Sequence, residues 1–389
     1  MKLKLRPRYI YLFFLLFPFI RHFSTQEWPP FLVNVLEYWT DFSAALIYVQ
    51  ALRTKFRKVP INRIYPLLIF WATYLVTTII ADFSMFFGTG HKVFVMVAIV
   101  ILISSEMNKN SDDVLSVLTF IYTTYMLINN ILVQIYPNGI YTVKTSRTHL
   151  GHLLGTDNAI VYVALPGIIL LCIYSVCKTG KISKFAQFNI LLLILTLVRL
   201  WAASGLVSVL VFTFLLFYML KVKYLEPSVC FWGMSFLILI IFTMGSAIPF
   251  FGRLITDVLH KDLTFSNRIY WWAHAFSVIR QKPLFGWGGY FSKGASTLAY
   301  GTVKYPVHSM YLQILVDGGF TLFLTFAFLI YKCAKAIEKN KRNVYGAVFL
   351  AGFMGIMLSY AFEWSQYYHL MILCSVLLNV DKLIKAEEK

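Results

Sequence analysis

The chain has 389 residues, of which 59% are hydrophobic, 17% aromatic and only 13% charged. Soluble globular domains carry about a quarter charged residues, so this balance excludes a water-soluble enzyme or binding module and makes lipid the main solvent. The formal net charge of +18 does not point to nucleic acid, because Lys and Arg fall in short clusters between apolar runs, where they act as topology signals.

A membrane helix needs about 20 mostly apolar residues, each adding about 1.5 Å across a hydrocarbon core about 30 Å thick. The chain starts MKLKLRPR-YIYLFFLLFPFI, which has the charged and apolar regions of a secretory signal. The residues that follow, RHFSTQEW, offer no small-x-small cleavage motif, so this segment reads as an uncleaved first span. Spans are expected near 9–22, 31–52, 65–82, 92–106, 113–135, 157–177, 186–202, 203–221, 228–247, 310–331, 344–362 and 365–380. The expected fold is an all-α polytopic membrane protein with about twelve transmembrane helices. Residues 1–389 read as a single integral membrane domain, with 248–309 as one large loop inside it.

With a cytoplasmic N-terminus, the inner loops receive RTKFRK with Arg63, the Lys178, Lys181 and Lys184 group, Lys221 with Lys223, and Lys332 through Arg342. Both termini are then cytoplasmic and the positive-inside rule is met. The inner connections are short, and neither GxxxxGK[ST] nor a Rossmann glycine pattern occurs. Chemistry is therefore expected at the opposite face, in the loops near 136–156 and 248–309. The cysteines, Cys172, Cys177, Cys230, Cys333 and Cys374, sit in or beside apolar runs and read as filling. The SDD run at 111–113 reads as a helix N-cap rather than a metal site. No metal or other cofactor is expected.

Two carboxylates fall inside the second span. Glu37 and Asp41 lie four residues apart on one face. They read first as structural partners of Arg199, with a place in an acceptor site as the alternative.

The large loop is basic and aromatic on the side where the charge rule disfavours cations. From about 267 to 281, Ile269, Trp272, Phe276 and Ile279 recur at helical spacing, with Ser266 or Asn267 as N-cap and Pro283 as the stop. Paired Trp271 and Trp272 beside arginines fit an amphipathic interfacial helix. Gly286, Gly288 and Gly289 then allow a tight turn and a close approach of backbone to a ligand. Arg268, Arg280, Lys282, Lys293 and Lys304 call for an anionic partner outside the membrane, and a lipid phosphate or pyrophosphate fits. His308 stands just before the next span and suits general-base work. Asp317 lies inside that span, where an ionisable group faces a partner or a cavity.

Arg268 followed by YWWAHA, then KPLFGWG, then HSMYLQILVDGGF, resembles the motif order of the O-antigen ligase and O-antigen polymerase superfamily of bacterial envelope glycosyltransferases. Upstream, LLGTDNAIVYVALPG resembles the family's Gly-x-x-Asn segment and places Asn158 at its asparagine. The chain departs from the family at AASGLVSVL: where members often carry Ser-Arg, Ser204 is followed by Gly205, with Arg199 as a substitute.

The resemblance implies a GT-C-like membrane glycosyltransferase of the bacterial cytoplasmic membrane. Its donor would be an undecaprenyl-diphosphate-linked oligosaccharide and its acceptor a hydroxyl on growing polysaccharide, with membrane lipid and a chain-length regulator as further partners. In this scheme Arg268 and His308 are catalytic, and Arg280, Arg199, Trp272, Asn158, Asp317 and Lys282 bind substrate. His308 acts on the acceptor hydroxyl or contacts the pyrophosphate. Polymerase is preferred over ligase because the Lys-, Ile- and Phe-rich composition fits a low-GC Gram-positive source without lipid A. A lipid-linked sugar flippase or transporter is the competing class, against which stands the lack of an internal repeat.

Overall fold

The computed structural model describes residues 7–21, 24, 28–144, 148–221, 225–244, 268–289, 298–300, 303–305, 307–363 and 367–383. The helices are α1 (Pro7–Leu16), α2 (Pro30–Arg53), α3 (Ile61–Ala81), α4 (Phe86–Ile135), α5 (Ile160–Thr179), α6 (Lys184–Arg199), α7 (Ala203–Lys221), α8 (Pro227–Met244), α9 (Arg268–Gln281), α10 (Met310–Lys339), α11 (Val344–Phe362) and α12 (Tyr368–Leu377). Their boundaries follow local chemistry. Pro30 opens α2, where its missing N–H costs nothing. Gly180 closes α5 in the left-handed conformation at φ 68°. Ser183 and Asn343 cap α6 and α11 by accepting from Ala186 N and Gly346 N.

Every segment expected to be a span holds helix, which makes this a helical polytopic membrane protein. Among the described residues, 6 helices are long and apolar enough to cross a membrane: Ile61–Ala81, Phe83–Ile135, Asp157–Thr179, Ala203–Lys221, Met310–Lys339 and Val344–Phe362. The helices near the N-terminus, at α8 and at α12 are apolar but shorter. The expectation of about twelve crossings counted α4 as two. At 50 residues it is about 75 Å long, over twice the hydrocarbon thickness. It is broken at Asn110, which has the non-helical angles φ −154° and ψ 90°.

α11 is the central helix. It is buried on all sides, from Tyr345 to Ala361, and packs against α5, α7, α8 and α10. A helix apolar all round belongs in such a position. Two segments expected as plain loops contain small antiparallel sheets: β1 (Tyr141–Lys144), β2 (Thr148–His152) and β3 (Gly155–Thr156) form one, and β4 (Leu298–Tyr300) pairs with β5 (Val303–Tyr305). The all-α description therefore holds for the spans but not for these connections.

α10 is also broken, at Gly319, with φ 62° and ψ −161°. Such a break frees backbone groups that cannot stay unpaired in a lipid environment. The segment 283–288 supplies the partners. Trp287 N and Gly288 N donate to Val316 O and Asp317 O, each at 2.8 Å, while Phe320 N and Thr321 N donate to Pro283 O at 2.8 Å and Leu284 O at 3.1 Å. A Cβ at Gly319 would come within 2.4–2.5 Å of the Leu284 and Pro283 backbone, so both the angle and the contact require glycine.

Candidate active site

The site is organised by Glu363, the first residue after α11. Its Oε1 pairs with the Arg268 guanidinium and accepts from Asn158 Nδ2 at 3.0 Å and Ser204 Oγ at 3.3 Å. Its Oε2 accepts from Tyr162 OH at 3.3 Å and lies 3.5 Å from His308 Nδ1. Side-chain exposure is 9% for Glu363, 17% for Arg268 and 36% for His308, so the imidazole is the most accessible of these groups.

The backbone fixes the same residues. Met310 N donates to Glu363 O at 3.1 Å and Ser309 Oγ to Tyr360 O at 3.4 Å, which ties the start of α10 to the end of α11. His308 has a positive φ of 50°, and Asp157, next to Asn158, has 34°. Non-glycine residues in that region cost of order 1–3 kcal/mol and concentrate at functional sites. Arg268 is the first residue of α9, where the helix dipole disfavours a cation. The Glu363 carboxylate compensates.

Burial pushes the Glu363 carboxyl up, but the Arg268 guanidinium and His308 outweigh it and hold it below the ordinary carboxylate value. The anionic form is therefore the working one. Both its oxygens are fully engaged, which suits an orienting role better than proton abstraction. The N-termini of α5, α7, α9 and α10 meet here, and their dipoles make the surroundings favourable for an anion.

The site thus brings together Arg268, His308 and Asn158 of the residues expected from sequence. Arg199 is exposed at the end of α6 and forms no ion pair with the described residues. The place of the expected Ser-Arg pair is filled differently: Ser204 binds Glu363 directly, and Gly205 N donates to Asn158 Oδ1 at 3.3 Å. A Cβ at Gly205 would sit 2.5 Å from Val161 Cγ2, so glycine lets α7 close on α5.

The remaining residues lie apart from Glu363. Arg280 is exposed in the last turn of α9, about 18 Å along the helix from Arg268. Lys282 Nζ stacks 4.1 Å over the Trp287 ring. Trp272 is 2% exposed and packs against Phe242 and Phe362. The buried stripe of α9 is Trp272, Ala275 and Ile279, whereas Phe276 of the expected face points outward. Ser266, Asn267 and Lys293 lie outside the described residues, as does the Lys304 side chain. Asp317 is buried at the break in α10, nine residues past His308, and accepts from Gln313 Nε2 at 2.6 Å. The glycine run approaches this break, not an open ligand position. Glu37 and Asp41 do not meet Arg199; they pair with Arg21 and His91.

Sequence reasoning missed Glu363. The only signal was a carboxylate in the short polar link between two apolar runs, at the end of the chain's eleventh expected span, which shares a face with the large loop. Tyr162 and the direct role of Ser204 had no signal of their own.

Residues 185–327 match the O-antigen ligase family model, which supports the O-antigen ligase and polymerase superfamily for this chain. The matched region holds Ser204, Arg268 and His308, while Asn158 and Glu363 lie on either side of it. No curated protein matches the chain.

Proposed function

We propose that this protein of O-antigen ligase/polymerase type elongates lipid-linked oligosaccharide repeat units. It would take glycan from undecaprenyl diphosphate and transfer it to an acceptor sugar hydroxyl at the outer face of the bacterial cytoplasmic membrane. The observation that carries this reading is the Glu363 cluster, which holds a guanidinium and an accessible imidazole on one buried carboxylate.

Glu363 orients His308 through Nδ1 and leaves Nε2 to take the proton of the attacking hydroxyl, as carboxylate–histidine pairs do elsewhere. The C–O bond to the diphosphate breaks as the new glycosidic bond forms. Negative charge builds on the departing diphosphate, where Arg268 and the converging helix N-termini stabilise it. Arg280, exposed in the last turn of α9, and Lys282, just past its end, draw the diphosphate in. Asn158, Ser204 and Tyr162 hold the carboxylate, and Trp272 anchors α9 by packing. The clustering of Lys and Arg supports a topology of about twelve crossings with cytoplasmic termini, in which this cluster would lie at the outer face, where lipid-linked donors are the available form of activated sugar. The composition favours polymerase over ligase.

The transporter reading has one feature in its favour, since broken helices form ion and substrate sites in transporters. Here the open groups at Gly319 are taken by the 283–288 backbone, which leaves that break closed. Purified protein in liposomes, supplied with lipid-linked repeat unit and no gradient, should give a ladder of longer glycans. Translocation without elongation contradicts the proposal.

A further inference from the structure

The link between α6 and α7 holds a residue that its backbone disfavours. Trp201 N donates to Val198 O and Ala202 N to Leu197 O, each at 3.0 Å. This pair of bonds closes the end of a helix by placing one residue in the left-handed region. Here that residue is Trp201, with φ 50°. Glycine enters the region without penalty, whereas an L side chain brings its Cβ against the following carbonyl. A bulky residue there is an outlier.

Burial offsets little of this strain. Leu197 and Ala202, joined by the longer of the two turns, are 0% and 1% exposed, but Trp201 is 44% exposed. Anchoring in the headgroup layer does not call for strain either. An interfacial indole needs only the right depth, which the neighbouring Leu200 offers in helical conformation. Trp232 makes the contrast: it is 77% exposed and lies in regular helix on α8. What the left-handed position adds is a fixed direction for the side chain.

The turn lies beside the transfer site. Ser204, three residues on in the first turn of α7, donates to Glu363 Oε1. Three residues of chain span at most about 11 Å, so Trp201 stands at the rim of the Glu363 cluster. Strain recurs around that cluster. Among the described residues, the non-glycine positions with positive φ are Lys55, Phe56, Asp157, Trp201 and His308. The first two follow α2. Each of the other three is, or lies within three residues of, a group that contacts Glu363. Strained residues gather at functional sites, and of these three positions only that of Trp201 has no role assigned above.

An exposed indole offers a flat apolar face and one N–H donor. A pyranose ring presents the complement, a face of C–H groups edged by hydroxyls. We propose that Trp201 is a stacking platform for a sugar ring of the glycan bound at the Glu363 site. The identity of the ligand as glycan rests on the transfer reaction proposed above.

The test titrates full-length protein in nanodiscs with two probes. One is the lipid-free oligosaccharide released from the host's lipid-linked repeat unit by mild acid, and the other is undecaprenyl diphosphate, which carries no sugar. Trp201→Gly removes the indole and the strain together. It should raise the oligosaccharide Kd about tenfold, the scale of one lost aromatic stack, and leave diphosphate binding within about twofold. Its melting temperature should equal or exceed that of wild type, because glycine suits the left-handed position. Trp201→Tyr keeps a ring and should lose less than about threefold in oligosaccharide affinity. An oligosaccharide Kd unchanged in folded Trp201→Gly overturns the platform, as does wild-type protein that binds no oligosaccharide. A lower melting temperature with equal losses for both probes assigns the indole to packing or to lipid and overturns it too. If binding depends on Trp201 but wild-type protein elongates nothing, the platform stands and the transfer reading fails.

Discussion

Two clusters of buried carboxylates in this protein use similar partners for different ends. Around the break at Asn110, Glu106 and Asp113 share Arg8, Lys109 adds a second cation to Glu106, and Asn110 Nδ2 donates to Asp113 at 2.7 Å. All but Arg8 come from one short stretch of α4, so the cluster fixes a turn. Around Glu363 the partners come from α5, α7, α9 and the segment before α10, and one of them is a histidine left accessible. Burial and ion pairing alone do not mark a reaction site. Convergence of separate elements on a carboxylate with an open imidazole does.

The largest expected effect separates the clusters by rate. His308→Ala should lower the elongation rate constant by about 10²–10⁴-fold with little change in thermal unfolding in detergent, whereas Arg8→Ala should leave it within about twofold. Equal losses in the two would erase the distinction. Next comes Glu363→Gln, which keeps the side chain's shape but not its charge. A fall of about a hundredfold is expected, in the range reported for loss of an orienting or transition-state group.

Stability should divide the two clusters in the same direction but much less sharply. Arg268→Ala strands a buried carboxylate and should cost about 3 kcal/mol of unfolding free energy. Arg8→Ala should cost less, about 1–2 kcal/mol, because Lys109 and Asn110 remain. Gly319→Ala, forced into a positive φ against the 283–284 backbone, should cost about 1–3 kcal/mol and be read as a lower melting temperature with His308 chemistry intact.

The smallest effect concerns pH. The Glu363 carboxyl is held below its ordinary value in the folded state, so its contribution is fully present above the ordinary carboxylate range and is lost as pH falls through the lowered one. Thermal melts in the acid range should show this loss in wild-type protein and a smaller one in Glu363→Gln.

Apolar runs and their punctuation made the helices legible, because length and hydropathy determine where lipid-facing helix can form. Arg268, His308 and Asn158 were legible through motif order. What stayed hidden depends on contacts distant in sequence. Glu363 is one acid in a short link, 205 residues from Asn158 and 95 from Arg268. The break at Gly319 falls in LVDGGF, which hydropathy reads as continuous span, so the partner of the glycine run could not be recognised as backbone. Arg21 and His91, the partners of Glu37 and Asp41, belong to separate segments, and proximity between those is fixed only by packing.

The central claim is that Glu363 and His308 act as one unit in glycan transfer. A double-mutant cycle on elongation rate in liposomes tests it most directly, since groups acting together are strongly non-additive. Glu363→Gln combined with His308→Ala should be no slower than His308→Ala alone. Rate losses that multiply in the double variant would contradict the account.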